Sequence, residues 1–439
     1  MKHTIEEKKL FPGPEELGIH FPRILVPNRY IDLRKWPIIA CDQFTSEPEV
    51  WKRLEAEIGS APSTLHCILP ECYLGTPEEK ARITRIHQTL KEYLSQGILE
   101  ELEPGIMLVE RTTPYTPLRR GIVVALDLDK YDYRPGTRSL IRPTEETILE
   151  RLPPRVRIRK GAAIEFPHIL VLLNDRDTRV VETLFSHFKS IPHRYKTNLP
   201  LDAGEIRGRF IPQGQAEKLI VDLLSRTYQA GSFFYAVGDG NHSLAAAKQV
   251  WEERKYPESR YALVELVSVY DPGIRFEPIH RIVFSTDWES WISHLRSLYR
   301  VELRPVPSYE AMKQQVEEKP RQFGLLHAGT YWIGELYTSS NFLLVEPIQT
   351  ALDVYRDSHP GVKVDYIHGE DTLRTLCQGN DALGIFLPGI LKEEFFPLIE
   401  SRGVLPRKAF SIGKALEKRF YFEGRRILPI SCLADSEIP

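Results

Sequence analysis

The chain has 439 residues, and its 58 lysines and arginines nearly balance its 60 aspartates and glutamates, which gives a formal net charge of -2. A chain of this length can bury a large core and is expected to form two domains, because single cores stop growing at about 250–300 residues. The balanced charge provides no global field, so the composition favours neither nucleic acid nor a membrane as a partner.

Signals for secretion and membrane insertion are also missing from the sequence. The stretch from Met1 to Lys9 has no apolar segment, and the longest apolar runs, such as Ile169 to Leu173, are too short to cross a bilayer. The 5 cysteines are an odd number without a C-x-x-C pair, which fits neither a disulfide framework nor a cysteine zinc site. We therefore expect a cytoplasmic protein with reduced cysteines.

The predicted elements alternate between helix and strand along the chain, which indicates a mixed α/β fold. One helix is expected to follow Thr45-Ser46-Glu47-Pro48 and to end at Gly59. A longer helix starts at Thr76, with Pro77 at its first position, and ends before Gly97.

Further along, a β-rich run over residues 260–270 predicts an interior strand. Beyond about residue 285 the pattern changes, and we expect helices over 288–299 and 310–318 and strands over 323–327 and 342–346. We place a domain boundary at this change. Residues 1–284 would then form the catalytic region, and residues 285–439 an additional C-terminal α/β domain.

The first candidate for the site is Asp42, which follows a predicted strand and precedes the first helix. A carboxylate at the C-terminal end of a strand is a common position for a catalytic or metal-binding residue. An ordinary aspartate in a turn would give the same pattern, so both interpretations stay open.

Three arginines at alternate positions follow a Pro-Pro pair. In a strand, Arg155, Arg157 and Arg159 would point to one face and form a row of guanidinium groups that could bind phosphate or carboxylate. The alternative is a solvated edge strand whose charges discourage aggregation. Shortly after, Glu165 and His168 stand at the entrance of an apolar strand, where they are either functional or a structural hydrogen-bonded pair.

The most informative segment is a glycine-containing turn. A β-rich run from Phe233 ends in two glycines that flank Asp239, and an alanine-rich helix begins at once. Such a turn exposes backbone N–H groups at a helix N-terminus, and Gly240 lets an anion approach them closely. His242 could bind phosphate or act as an acid or base near neutral pH.

The other polar residues of this turn admit two interpretations. Asp239 is a poor neighbour for a bare anion, so we assign it to a metal ion or to a substrate hydroxyl. Asn241 and Ser243 would complete a phosphate-binding turn, although either could instead cap the helix.

A last group, Glu277, His280 and Arg281, lies in one short segment downstream of the strand over residues 260–270. This concentration of polar groups is unusual and makes them further candidates for substrate or phosphate binding. The motifs G-x-x-x-x-G-K-[ST], G-x-G-x-x-G after a strand, H-E-x-x-H and G-x-S-x-G are all missing. A phosphate site in this protein would therefore not be a P-loop.

Several of these segments, in this order, resemble the bacterial and archaeal family known as DUF1015. They are Ala40-Cys-Asp-Gln-Phe-Thr-Ser-Glu-Pro48, Arg142-Pro-Thr-Glu145, Pro154-Arg-Val-Arg-Ile-Arg159, Phe276-Glu-Pro-Ile-His-Arg281 and Leu405-Pro-Arg-Lys408. The turn Asp239-Gly-Asn-His-Ser243 is similar to the Asp-Gly-His-His-Arg signature of that family. It is also similar to the phosphate-binding turn of ParB-like proteins and of the free serine kinases that share their fold.

The resemblance implies a ParB- and serine-kinase-like catalytic region that transfers a phosphoryl group to the hydroxyl of a small amino acid. L-serine is the expected acceptor, pyrophosphate or ATP/ADP the expected donor, and Mg²⁺ the expected cofactor. Asp42 or Glu165 would orient the hydroxyl, and Asp239 would bind the metal or the substrate. The turn lacks one cationic contact of the commoner signature. The arginine row could replace it, which would suit pyrophosphate better than a nucleotide.

Two other functions stay open at this stage. One is a ParB-type nucleotide-binding regulatory module, which the lack of a helix-turn-helix signal and of a basic patch disfavours. The other is a hydrolase that acts on phosphoesters through the same anion site.

Overall fold

The computed structural model describes residues 12–429 except 178, 229–232, 320, 338–342 and 380. The chain divides into two compact units. The first contains the residues up to Ile274, the segment Phe396–Val404 and the residues from Ala415 onward, and the second contains Arg275–Phe395 and Leu405–Lys414. This division differs from the expected boundary at residues 284/285, because the segment after Ile274 belongs to the second unit and the C-terminal residues return to the first.

A mixed sheet forms the centre of the first unit. Its strands are β1 (Ile19–His20), β2 (Arg23–Pro27), β4 (Leu99–Arg111), β5 (Arg119–Asp127), β6 (Ile141–Pro143), β8 (Leu170–Leu173), β9 (Tyr195–Asn198), β10 (Glu205–Pro212), β11 (Tyr235–Asp239) and β12 (Tyr261–Ser268). They follow the order β6-β11-β8-β12-β5-β4-β10-β9, and β1 and β2 pair with β5 and β4. The predicted interior strand is therefore β12.

Both faces of this sheet are buried. Successive side chains of a strand point to opposite faces, so a strand buried on both sides contributes alternate residues to two apolar clusters. In β4, Met107 and Val109 join one apolar cluster, while Ile106 and Leu108 join another. The helices that cover the sheet are α1 (Pro48–Ile58), α2 (Glu79–Ser95), α3 (Leu152–Gly161), α4 (Val180–His187), α5 (Gln213–Thr227) and α6 (Asn241–Arg254). The predicted first helix matches α1, whereas α2 begins three residues after the predicted start at Thr76.

The second unit is built on its own sheet. Its strands are β13 (Phe276–Phe284), β14 (Arg300–Val306), β15 (Gln322–His327), β16 (Thr330–Tyr337), β17 (Lys363–His368), β18 (Ala382–Phe386) and β19 (Phe410–Ile412). Their order is β14-β16-β15-β18-β13-β17, with β19 paired to β13. The helices are α7 (Trp288–Leu298), α8 (Tyr309–Glu318), α9 (Val345–Ser358) and α10 (Glu370–Leu376).

One element predicted in the second unit is wrong. The expected strand over residues 342–346 overlaps the start of α9 at Val345, and Phe342 lies outside the described residues. The apolar run there is one face of an amphipathic helix, since Val345, Ile348 and Leu352 are buried at helical spacing.

The segment Phe396–Val404, which contains the later part of α11 (Lys392–Arg402), belongs to the first unit, whereas Leu405–Lys414 belong to the second. The last part of the chain, from Ala415 onward, is again in the first unit. Short strands then attach it to the N-terminal half: β20 (Phe420–Tyr421) pairs with β3 (Ile38–Ile39), and β21 (Arg425–Arg426) pairs with β7 (Ile164–Glu165). Within the part of the chain that the structure describes, no helix is long and apolar enough to span a bilayer.

Candidate functional site

The turn between β11 and α6 has the conformation that its glycines allow. The register of β11 against β8 shifts between Val237 and Asp239, which places an irregularity at Gly238. Gly240 then has φ 77° and ψ 26°, in the left-handed region. A Cβ on Gly240 would also lie 3.0 Å from Ile169 Cγ1 and 3.1 Å from Ile169 Cα. Both the backbone angle and the packing therefore require glycine.

The start of α6 leaves its first backbone N–H groups without a helical partner. The first helical hydrogen bond runs from Leu244 N to Gly240 O at 3.0 Å. The N–H groups of residues 241–243 precede it and have no acceptor within the helix. Together with the positive end of the helix dipole, they favour an anion at this position.

The side chains of Asn241 and His242 hold the turn against the segment that follows β6. Asn241 Nδ2 donates to Thr144 Oγ1 at 3.3 Å, and Thr144 Oγ1 donates to Val237 O at 2.8 Å. Ile148 N donates to His242 Nε2 at 3.1 Å. Since Nε2 accepts a hydrogen bond, the proton of a neutral His242 ring resides on Nδ1. These contacts favour a positioning role for His242 over the acid or base role expected from the sequence.

A lysine from the C-terminal segment reaches the same turn. Lys418 Nζ lies 3.3 Å from Asp239 Oδ2, and the two side chains are 12% and 18% exposed. The other oxygen of Asp239, Oδ1, accepts a hydrogen bond from Gly240 N at 3.0 Å. Lys418 therefore supplies the cation beside the exposed N–H groups, a function that the sequence analysis assigned to the arginine row.

His168 connects the turn to the N-terminal strand–helix segment. Its Nε2 is 3.5 Å from Ser243 Oγ, and its Nδ1 is 2.7 Å from the hydroxyl of Tyr421. The same hydroxyl accepts a hydrogen bond from Cys41 N at 3.2 Å. The chain of contacts brings Ser243, His168 and the backbone before Asp42 to one place.

Asp42 is close enough to His168 and Lys418 for their charges to act on its carboxyl group. Burial acts to raise the pKa of its carboxyl, but the charges of His168 and Lys418 and a hydrogen bond from Gln43 outweigh burial, so the pKa is lowered. Gln43 Nε2 donates to Asp42 Oδ1 at 3.0 Å. Asp42 is consequently an ionised carboxylate at neutral pH, beside two groups that can carry positive charge.

A small cavity of about 130 Å³ opens next to these residues. Its polar lining includes Cys41, His168, Ser243 and Tyr421, and much of the remaining wall is apolar, with Ile68, Leu69, Ile158, Phe166 and Ile169. Pockets that enclose drug-sized ligands have volumes of roughly 300–1,000 Å³. The cavity thus has room for a small metabolite.

The predicted row of arginines is wrong. The segment is the helix α3, which begins with prolines in its first turn, and alternate residues of a helix do not share a face. The three guanidinium groups pair with different carboxylates: Arg155 with Glu71, Arg157 with Glu79 and Arg159 with Glu165. Only Arg155 and Arg159 line the cavity, and the Arg157 side chain is 55% exposed.

Glu165 is placed near the cavity, but its contacts favour a structural role. Its Oε1 accepts hydrogen bonds from Leu263 N at 2.9 Å and Arg425 Nε at 2.8 Å, and its Oε2 is 2.6 Å from Arg159 Nη1. Burial acts to raise its pKa, yet Arg159, Arg425 and the backbone donor lower it. The pKa values of Glu165 and Asp42 are both lowered, so the distinction rests on contacts: the oxygens of Glu165 are taken up by Leu263, Arg425 and Arg159, and we therefore assign the base to Asp42.

Glu277, His280 and Arg281 lie in β13 of the second unit. His280 Nδ1 accepts a hydrogen bond from Leu387 N at 3.1 Å, and burial lowers its pKa to about 4. The Arg281 side chain is fully buried and donates to Lys408 O at 2.9 Å. The contacts of His280 and Arg281 are made within the second unit, and their assignment to substrate or phosphate binding stays a prediction.

Lys418 and Tyr421 were missed by the sequence analysis, and a buried charge network fixes their position. Arg419 donates to Glu265 at 2.7 Å, to Glu423 at 2.9 Å and to Pro167 O at 3.1 Å. Buried charges are rare unless they are paired. The sequence Arg419-Phe-Tyr-Phe-Glu423 contains such a pattern, since its aromatic run is flanked by two opposite charges. This pattern could have indicated that the segment is buried.

The oxygen atoms available at the turn do not form a metal site made of protein ligands alone. Asp239 was the predicted ligand, but Lys418 occupies one of its oxygens and the Gly240 N–H the other. The described residues include no group of three His, Cys, Asp or Glu side chains arranged for a metal. Magnesium commonly binds through one or two carboxylates together with substrate phosphates, so an ion here would have to arrive with the phosphate donor.

Comparisons with known proteins give the following matches. No curated protein matches the chain. Among solved structures, a conserved hypothetical protein from Pyrococcus furiosus is 13% identical, with a TM-score of 0.35, and the match covers 66% of this chain and 90% of that chain. A mutant free serine kinase in complex with AMP is 12% identical with a TM-score of 0.40, and one in complex with ADP is 13% identical with a TM-score of 0.38. Each of these two matches covers 70% of this chain and 92% of the kinase chain.

A family model matches residues 25–355, with the description "Protein of unknown function (DUF1015)". This range is about three quarters of the chain and contains the Asp239–Ser243 turn, Asp42 and His168. It ends before Lys418 and Tyr421. The protein belongs to the DUF1015 family.

Proposed function

We propose that this site transfers a phosphoryl group from pyrophosphate or from ATP/ADP to the hydroxyl of a small amino acid, with L-serine as the acceptor. The observation that carries the proposal is the electrostatic grouping of Asp42 with Lys418 and His168 near the N-terminus of α6, next to a small cavity that His168 and Ser243 line. An anion site, an ionised carboxylate and a small cavity for the acceptor are the parts that phosphoryl transfer requires.

The donor would bind at the turn. Its terminal phosphate would accept hydrogen bonds from the N–H groups of residues 241–243, and Lys418 Nζ would balance its negative charge. In this arrangement Asp239 holds Lys418 in place, since Oδ2 lies 3.3 Å from Nζ. Magnesium would enter with the phosphates of the donor.

The acceptor would occupy the cavity, with its hydroxyl toward Asp42. The acceptor oxygen forms a bond to phosphorus while the bridging P–O bond of the donor breaks. The hydroxyl proton goes to Asp42, which the lowered pKa keeps ionised and ready to orient the hydroxyl. The products are O-phosphoserine and orthophosphate, or the shortened nucleotide.

The identity of the donor is left to experiment. The preference for pyrophosphate depended on a row of arginines, and α3 does not present one. A single lysine at the turn is compatible with either donor.

The direct test is to incubate the purified protein with magnesium and L-serine, and with pyrophosphate, ATP or ADP in separate reactions. Phosphorus NMR and mass spectrometry would detect O-phosphoserine and the second product. The proposal expects product with at least one donor, and formation at least about 100-fold slower with the Asp42→Asn variant. Release of orthophosphate without O-phosphoserine would indicate a hydrolase instead, and nucleotide binding without turnover would indicate a regulatory module.

A further inference from the structure

Two buried arginines lie opposite each other where β4 ends and β5 begins. Arg111 and Arg119 are direct partners in the antiparallel register of these strands, and they are 2% and 4% exposed. Burial lowers the pKa of the Arg111 guanidinium, and the neighbouring charge of Arg119 lowers it further. Apolar residues in place of buried charged groups are often equally stable or more stable, so the stability of the sheet alone does not explain this pair.

The two guanidinium groups bind the backbone at Lys418 and just before it. A short 3-10 helix, Ala415–Glu417, ends there, and the last carbonyl groups of a helix have no partner within it. Arg111 donates to the carbonyl oxygens of residues 416–418, with 3.2 Å between Nη1 and Glu417 O. Arg119 Nη1 donates to the same Glu417 oxygen at 2.8 Å. The arginines thus cap this helix end and hold three consecutive carbonyl groups.

Further contacts fix the residues on either side of Lys418. The Glu417 carboxylate accepts a hydrogen bond from Thr116 Oγ1 at 2.9 Å, in the loop between β4 and β5. On the other side, Ala40 N, just after β3, donates to Arg419 O at 3.0 Å. The backbone of Lys418 is therefore held through its own carbonyl group and through both of its neighbours.

A fixed backbone matters here because a lysine side chain is long and flexible. Holding its ammonium group in one place costs rotamer entropy. Lys418 has partners at both ends, since its carbonyl group binds Arg111 and its Nζ lies 3.3 Å from Asp239 Oδ2. When a charged group is ordered during folding, a ligand does not have to order it on binding.

We propose that Arg111 and Arg119 are positioning residues, which fix the backbone at Lys418 so that its ammonium group is in place at the start of α6 before the phosphate donor binds. The inference rests on the proposed function for the role of Lys418. The positioning itself can be measured by donor binding, without turnover.

The test is isothermal titration calorimetry with pyrophosphate and with ATP, each in the presence of magnesium. Arg111→Lys keeps a positive charge on β4, but one ammonium group cannot span the carbonyl oxygens of residues 416–418. We expect this variant to bind the donor about five- to tenfold more weakly than wild type, because Lys418 must then be ordered on binding. Arg119→Lys should show a smaller loss in the same direction. Circular dichroism would establish that each variant is folded.

A double-mutant cycle separates positioning from a general defect. In Lys418→Met protein no ammonium group remains to be positioned, so the addition of Arg111→Lys should change donor affinity by less than about twofold. The matched control is Arg120→Lys. Arg120 is the next residue of β5, faces the other side of the sheet and pairs with Glu110 at 3.2 Å, so this variant should bind the donor as wild type does.

Three results would overturn the inference: wild-type affinity in the folded Arg111 and Arg119 variants, losses that multiply in the double variant, or no binding of either titrant by wild-type protein. If Arg111→Lys does not fold, the same cycle with Arg119→Lys decides. The proposed function fails in a different way, since the coupling to Lys418 would then be present but neither titrant would yield O-phosphoserine from L-serine.

Discussion

Lys418 Nζ lies 3.3 Å from Asp239 Oδ2, so a residue near the end of the chain supplies the positive charge at the start of α6. In the proposed site the lysine would attract the phosphate donor, and the aspartate would keep the ammonium group from turning away before the donor arrives.

Replacement of Lys418 by methionine should remove the cation and leave a side chain of similar length. We expect kcat/KM for the phosphate donor to fall about 10²- to 10³-fold, as when one stabilising donor is removed from a transition-state site. Steady-state kinetics with varied donor would measure the loss. Lys218→Met, at an exposed position of α5, serves as the control. Full activity of Lys418→Met would show that the phosphate binds elsewhere.

Replacement of Asp42 by asparagine should affect the chemical step. The amide has nearly the same shape but cannot accept the hydroxyl proton, so kcat should fall about 10²- to 10⁴-fold with little change in KM for the donor. Rapid-quench measurements of O-phosphoserine formation would separate chemistry from product release. Asp177→Asn, at an exposed position, is the matched control. An unchanged chemical rate would leave Asp42 without a role in proton transfer.

The pH dependence of kcat should reflect the lowered pKa of Asp42. Because its neighbours outweigh burial, the carboxylate stays ionised as the pH falls through the ordinary range of about 4 for aspartate. We expect kcat to be constant from pH 7 to about pH 4 and to decline only below it. The profile should be recorded where circular dichroism shows native protein. An acidic limb near pH 6 would point to a different base.

Gly240→Ala should reduce both stability and donor binding. The left-handed conformation costs about 1–2 kcal/mol for alanine, and the new Cβ would meet Ile169 at 3.0 Å. Gly97→Ala is a matched control, since Gly97 has φ 69° and a Cβ there meets nothing within 4 Å. Urea unfolding should show a smaller loss for Gly97→Ala, with unchanged activity. Equal losses in the two variants would mean that the contact with Ile169 relaxes.

Glu165→Gln should destabilise the protein without affecting the chemistry at saturating acceptor. Loss of one partner in a buried ion pair costs about 3–5 kcal/mol, whereas Glu100→Gln, in an exposed pair with Arg194, should cost about 0–1 kcal/mol. Because the native pKa of Glu165 is depressed, its contribution is present above the unfolded pKa of about 4.3 and is lost as the pH falls through the native value. A large fall in kcat would instead favour Glu165 as the base.

The parts of the site that could be predicted are local in the sequence. The β-rich run before Gly240 and the alanine-rich run after it indicate a strand, a turn and a helix within a few residues. This local pattern was sufficient to predict the turn between β11 and α6. Asp42 and His168 were found in the same way, from their positions at strand ends. The resemblance to DUF1015 was also correct, because it used several short segments in a fixed order.

The errors arise where local patterns are ambiguous or contacts are distant. Alternate arginines from Arg155 to Arg159 fit the period of a strand, but prolines at the start of the segment equally fit the first turn of a helix. Lys418 could not be predicted, since no sequence pattern links it to Asp239. The assignment of His280 and Arg281 stays a prediction, and the contacts of both with backbone groups of the second unit offer a structural explanation for this polar segment.

The return of residues 415–429 to the first unit has a consequence for synthesis and dissection of the protein. The second unit is, in effect, an insertion in the first, so a ribosome must translate all of it before Lys418 and Tyr421 exist. A nascent chain would therefore lack the proposed activity until both residues have been translated. A proteolytic cut after Ile274 would place Asp239 and Lys418 on different fragments.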